Sequence, residues 1–223
     1  MKEHMFRRTN AIRYIILLLI RFFSFIHHFS YRLISRFVII ENGGVHPKHD
    51  ILNYHKFFID HIDSTDVVID IGCGKGENAY DIAKKAARVV GIDINNSSVG
   101  KAKYLYSAPN INFVVGDAMI YPFAEIFDKI VLSNVLEHIE HRVDFLKKMH
   151  RVGDIILLRV PLITRDWLAV YEQKKGLDYR LDRTHYIEYT LKELEEEIET
   201  SGWSIDSFSI QFGEFWGVIK KRI

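Results

Sequence analysis

The stretch Asp66-Val67-Val68-Ile69-Asp70-Ile71-Gly72-Cys73-Gly74-Lys75-Gly76-Glu77 decides how the chain is read. Asp66–Ile71 is a short apolar run of the kind that forms a strand buried on both faces of a parallel sheet. Three alternate glycines follow, and Glu77–Arg88 then reads as a helix, with Tyr80, Ala83, Ala86 and Ala87 near one face. The pattern is strand, glycine turn, helix. Such a turn brings backbone close to a ligand without Cβ clashes and aims free N–H groups at an anionic group. A dinucleotide fingerprint needs Gly-x-Gly-x-x-Gly. Here the third glycine comes one residue early, at Gly76, and Glu77 would repel a pyrophosphate.

Further strands are expected at Arg88–Ile94, Ile111–Val115, Lys129–Ser133 and Asp154–Val160, alternating with helical segments. That alternation means a doubly wound α/β sheet, mostly parallel. Gly91-Ile92-Asp93 ends the second strand, where an acid accepts hydrogen bonds from a ribose diol. Gly116-Asp117-Ala118 follows the third strand, and Asn134-Val135-Leu136-Glu137-His138-Ile139 follows the fourth. A helix opens at Thr190 with a capping box to Glu193 and stops at Gly202. Two strands near Ser204–Gln211 and Glu214–Lys220 complete a seven-stranded sheet.

Taken together and in order, Asp-x-Gly-x-Gly-x-Gly, the Gly-Ile-Asp acid, the Gly-Asp-Ala turn and Asn-Val-Leu-Glu-His resemble the small class I S-adenosylmethionine (SAM)-dependent methyltransferases of the ubiquinone-biosynthesis and type 11 kind. The resemblance covers roughly residues 50–220. It implies a Rossmann-like methyltransferase fold and SAM as cofactor. Gly72, Gly74 and Gly76 would approach the methionine part, with Asp70 orienting its amino group. Asp93, with Ile94 beside it, would hold the ribose; Asp117, with Ala118, the adenine; Ser133 and Asn134 would line the cleft. Read without the resemblance, Asp70 is a helix cap and Asp117 a turn residue.

Residues 162–189 form an acceptor-side insert carrying Arg165, Arg180, Arg183, Trp167, Tyr171, Tyr179, Tyr186 and Tyr189, and Arg159 stands near the cleft end of the fifth strand. Guanidinium forks suit phosphate or carboxylate, and aromatic faces suit sugars or apolar rings. Arg159, Arg183, Tyr186 and Trp167 are therefore the candidate substrate contacts, unless the arginines simply pair with Asp166, Asp178 and Asp182. Methyl transfer from a sulfonium is an in-line displacement that needs alignment and dryness. An oxygen acceptor also benefits from a base, and His138 and His185 are the candidates. The expected acceptor is a glycan, a lipid-linked intermediate or another small molecule. The competing readings are an idle methyltransferase-like module that tethers a partner to membrane, and a nicotinamide-dependent oxidoreductase.

Composition is that of a globular protein, 48% hydrophobic and 26% charged, so one domain (43–223) behind a 1–42 extension is expected. Residues 1–40 carry Lys2, Arg7, Arg8, Arg13, Arg21, Arg32 and Arg36 against Glu3, a net of +6, which leaves −5 on the rest. Nucleic acid is thus not an expected partner of the body, and no Asn-Pro-Pro-Tyr signature is present. On a helical wheel Arg13, Arg21, Ser24, His28, Arg32 and Arg36 gather opposite Ile15, Leu19, Phe22, Phe23, Ile26, Leu33 and Phe37. That is a basic amphipathic helix, interrupted by Arg21 and so not a clean membrane span. Residues 11–40 are expected to meet an anionic membrane surface, a partner subunit or the domain itself. A signal peptide is not expected, because the core Ile15–Ile20 is short. The lone Cys73 excludes an internal disulfide and fits a cytoplasmic location. His46, His49 and His55 match no metal spacing, so no metal is expected, and this segment reads as a lid over the cofactor.

Overall fold

The computed structural model describes the backbone of residues 2–44 and 46–222, and their side chains apart from residues 2–11 and His49. Lys2, Glu3, Arg7 and Arg8 of the basic arm, and His49 of the histidine segment, therefore fall outside the described side chains. The chain divides into two compact units, Met1–Asn53 and Tyr54–Ile223.

The first unit is helix α1 (Lys2–Glu41) and the short α2 (Lys48–Leu52). The amphipathic segment expected over 11–40 lies wholly inside α1. Gly44 closes the helix in a left-handed conformation, φ 96, with its N–H on the carbonyl of Ile39 at 2.7 Å. Such C-caps favour glycine because no Cβ is present. Ile15, Leu19, Phe22, Phe23, Ile26 and Phe37 are all exposed. From Tyr14 to Tyr31 the one charged residue is Arg21, and a helical run of that length rises about 27 Å, close to a hydrocarbon core. By length and composition alone Ile12–Glu41 could cross a membrane, its most apolar 18-residue window having a mean hydropathy of 1.5. Arg21 interrupts that run, as expected.

The second unit begins with α3 (Tyr54–Asp60), which packs on α4 (Glu77–Ala83). The remaining elements are β1 (Val67–Ile71), β2 (Arg88–Asp93), α5 (Asn96–Leu105), β3 (Ile111–Val115), β4 (Lys129–Ser133), α6 (Arg142–Met149), β5 (Ile155–Pro161), α7 (Trp167–Lys174), α8 (Leu191–Thr200), β6 (Trp203–Gln211) and β7 (Glu214–Lys221). Strand order is β3-β2-β1-β4-β5-β7-β6, parallel except for β7, which is antiparallel to both its neighbours. This is the expected seven-stranded doubly wound sheet. α4 stops at Ala83, before the expected Arg88, because the N–H groups of Ala87 and Arg88 both turn to the carbonyl of Asp66 to start β2.

The period-2 alternation of the central strands divides the core between the two sheet faces. Ile69, Ile71, Leu132 and Leu158 pack with Phe145 of α6, Leu194 of α8 and Trp203. Val68, Val131 and Leu157 pack with Phe58 of α3 and Ala79 and Ile82 of α4. At α8, Thr190 and Glu193 make both bonds of the capping box.

Trp203 is fully buried, stacks on His150 at 4.4 Å, and donates Nε1–H to the carbonyl of Leu146 at 2.8 Å. Trp203→Ala should cost about 3–5 kcal/mol. A denaturant titration should show a lowered midpoint at unchanged slope; a loss below about 1 kcal/mol would contradict this packing.

Candidate active site: the cleft at the carboxyl ends of the strands

Strand order reverses between β1 and β4, and open α/β sheets bind ligands in the crevice outside the carboxyl ends at such a point. A cleft of about 560 Å³ opens there, within the size range of small-molecule sites. Gly72, Asp93, Ile94, Asp117, Ala118 and Asn134 line it, joined by Val135, His138 and Tyr186. The expected cofactor residues therefore largely converge.

The glycine loop is held by its own backbone. Gly72 N–H donates to the carbonyl of Ile92 at 2.8 Å, and Gly74 N–H to Asp93 Oδ2 at 2.8 Å. The three glycines differ in what they accommodate. A Cβ at Gly76 would stand 2.7 Å from Phe113 Cζ and 2.9 Å from Ala102 Cβ, while one at Gly74 would meet nothing within 4 Å. Gly76, at φ 89, lets α4 close on β3 and α5. A Cβ at Gly72 would likewise stand 2.5 Å from Val135 Cγ2, so packing also requires these two glycines.

Asp70 is 2% exposed, and its Oδ2 has no hydrogen-bond partner. Burial pushes its carboxyl up to about 7, opposed by the nearby Asn78 amide and reinforced by Asp93. The side-chain nitrogen and oxygen of Asn78 and Oδ1 of Asn134 are also buried without partners. Buried polar atoms are nearly always paired, so this group of orphans needs an explanation. Asn134 is moreover in the left-handed region, φ 55, a conformation that non-glycine residues adopt at some cost and often at functional sites. Asp93 accepts from Asn95 N–H at 2.7 Å as well as from Gly74, and Asp117 Oδ1 accepts from Met119 N–H at 2.8 Å. A ligand with an ammonium and a carboxylate at one end and a sugar at the other fits these groups.

The structure redistributes the acceptor-side expectations. Arg159 is 4% exposed; its Nε donates to Glu214 at 2.6 Å, its guanidinium lies 4.3 Å from the Tyr54 ring and 4.9 Å from that of Trp216, and Ser133 Oγ is 3.4 Å away. Its expected substrate contact is corrected to a brace between β5, β7 and α3. Arg183 and Trp167 are exposed and do not line the cleft; Arg183 faces Asp178 at 4.0 Å. Tyr186 does line it. Of the expected pairings in the insert, Arg180 and Arg183 meet Asp178, whereas Asp166 caps α7 and Arg165 pairs with Glu188 at 2.5 Å. Tyr54–Asp60, part of the expected lid, is packed on α4.

His138 is on the cleft wall, and His185 stands behind it, 6% exposed, with the rings 4.5 Å apart and edge to face. Sequence reasoning passed over their neighbour Glu137. It is fully buried, neither carboxylate oxygen has a hydrogen-bond partner, and burial pushes it up to about 7. The available signal was an acid inside the otherwise apolar Val135-Leu136-Glu137-His138-Ile139 run. Glu188, also missed, organises the insert: Arg165, Leu181 N–H and His185 all bond its carboxylate.

Residues 68–153 match the methyltransferase domain family. The chain is similar to class I SAM-dependent methyltransferases, and the relatives and solved structures agree with that likeness. A "probable S-adenosylmethionine-dependent methyltransferase" of Mycolicibacterium smegmatis is 29% identical over 143 residues, 62% of this chain and 52% of that protein. The ubiquinone biosynthesis O-methyltransferase of Rhizobium johnstonii is 30% identical over 150 residues, 62% of this chain and 60% of that one. The chain thus spans little more than half of these relatives. A SAM-dependent methyltransferase from Clostridium acetobutylicum shares the fold at TM-score 0.63 and 9% identity, over 87% of this chain and 99% of that one.

The raised carboxyl of Asp70 has a consequence for the ligand-free chain. The folded state holds the proton between the ordinary carboxylate range and about pH 7, so stability falls as pH rises through that window. Asp70→Asn should raise the melting temperature of the ligand-free chain, more at pH 8 than at pH 5. An equal or lower melting temperature at pH 8 would show that Asp70 is paired in solution.

Proposed function

We propose that the chain transfers a methyl group from SAM to an oxygen of a small, lipid-linked or glycan acceptor. The observation that carries this reading is the buried Asp70 carboxylate with its unpartnered oxygen at the end of β1, next to a cleft that Asp93 and Asp117 line one and two strands away. SAM supplies an electrophilic methyl on a sulfonium. Asp70, with Asn78 and Asn134, meets the amino-acid end. Asp93 accepts from the ribose hydroxyls, and Asp117 from the adenine amine with Ala118 and Ile94 alongside. Gly72 and Gly74 keep backbone, not side chain, against the ligand. His138, Glu137 and His185 stand at the remaining end, where an acceptor hydroxyl must shed its proton, and Tyr186 flanks them. Packing of the insert around Glu188 fixes these groups before the acceptor arrives, which is where alignment contributes to rate.

The oxygen acceptor is favoured by the named O-methyltransferase among the relatives and by those histidines. The lipid-linked class is favoured by α1. The helix exposes a continuous apolar stripe, and its cations lie on both sides of the Tyr14–Tyr31 stretch. A spanning helix keeps its excess of cations on one side. We infer that α1 lies in an anionic membrane interface, on the cytoplasmic face.

Calorimetry should show one S-adenosylhomocysteine (SAH) per chain and no heat with NAD. Asp93→Asn should weaken SAH by about tenfold, the loss of roughly one charged hydrogen bond. Binding of NAD, or SAH affinity unchanged in Asp93→Asn, would overturn the assignment. In vesicle sedimentation the full chain should bind anionic liposomes, less so at high salt, and the triple variant Phe22→Asp, Phe23→Asp, Ile26→Asp should stay in the supernatant. Equal partition of the two would remove the membrane role.

A further inference from the structure

The candidate lies at the acceptor end of the cleft, where Glu137, His138 and His185 bring one ligand atom each within 4.8 Å of one another. Two features of Glu137 point to a ligand. Its side chain is fully buried, and both its oxygens lack a hydrogen-bond partner. An uncompensated buried carboxylate is costly, and buried charges are paired or bind metal. The carbonyl of Glu137, which accepts from Tyr186 N–H at 2.8 Å, is already engaged.

The histidine tautomers are set from behind. Thr184 Oγ1 is 2.8 Å from Asp182 Oδ1 and 2.9 Å from His138 Nδ1. The hydroxyl has one proton and gives it to the carboxylate, so it accepts from Nδ1–H of His138. His185 Nδ1 is 2.9 Å from Glu188 Oε1, to which it donates. Each imidazole therefore keeps the lone pair on Nε2. A carboxylate or carboxylate-backed hydroxyl behind a histidine is the usual outer support of a metal-binding imidazole.

We propose that Glu137, His138 and His185 bind one divalent first-row transition-metal ion, with its fourth position open to the cleft through His138. Two imidazoles and one carboxylate are a zinc-type donor set, and three protein ligands with one open position mark a catalytic rather than a structural site. At metal–ligand distances of about 2.0–2.2 Å, tetrahedral donors stand roughly 3.4 Å apart, so atoms within 4.8 Å of one another must draw together by up to about 1.4 Å. His138, the exposed member, has the freedom to move. The inference deepens the O-methyltransferase reading, since an acceptor oxygen in the open position would be held and acidified there. It does not draw on His46, His49 or His55, the histidines whose spacing argued against a metal.

The test uses the chelator-stripped full chain with saturating SAH. Zinc titration should give one ion per chain, and cobalt in its place should give the intense visible bands of a four- or five-coordinate site. Glu137→Gln and His138→Gln should each weaken zinc at least tenfold, and Glu188→Gln, which removes only the support of His185, should weaken it by less. SAH affinity should stay within threefold in all three variants, which also reports that they are folded. No saturable zinc binding, or unchanged affinity in both ligand variants, overturns the metal site while retained SAH binding leaves the methyltransferase reading standing. Loss of SAH binding in the wild-type chain would instead remove that reading.

Discussion

A sheet whose central strands end in polar atoms that the protein does not satisfy must acquire its partners from outside, and that constraint organises this molecule. β1 has to be apolar on both faces because helices cover it on both, yet its penultimate residue is Asp70, buried and unpaired at Oδ2. A carboxylate there works against folding above its ordinary pKa. It is tolerable because β1 and β4 part company at this point, leaving the crevice into which a cation-bearing ligand fits. Stability and binding are thus opposed at one residue, as is common where a site must be ready before its ligand arrives.

The glycine loop answers to packing and to backbone conformation. A Cβ at Gly72 would meet Val135 Cγ2 at 2.5 Å and one at Gly76 would meet Phe113 Cζ at 2.7 Å, so the packing needs the first and third glycines. Gly74, at φ 54, has open space beside it and is needed for its backbone conformation. A sequence motif records the requirement for glycine without distinguishing them.

How much could be read beforehand follows from what each feature depends on. The central strands were legible nearly to the residue, because burial on both faces leaves a continuous apolar signature. Asp93 and Asp117 were legible as cleft residues because their positions follow from strand ends. Arg159 was misread because its partners, Glu214 and Trp216, come from β7, which pairs with β5 antiparallel in a register that the parallel pattern does not predict. Glu137 and Glu188 went unseen because their importance lies in burial and mutual contact across a stretch of about fifty residues, which no periodicity encodes. The segment 11–40 was legible as a helix because its apolar residues recur at helical spacing.

The insert gains its meaning from that long-range closure. Leu162 bridges to Tyr189 in parallel fashion, so the two ends of residues 162–189 are pinned together just past the carboxyl end of β5. Between them Glu188 gathers Arg165, Leu181 and His185, and Tyr189 reaches on to Glu197 of α8 at 2.7 Å. Glu188 is therefore the joint between the part of the insert that carries exposed Trp167 and Arg183 and the part that places His185 beside Glu137.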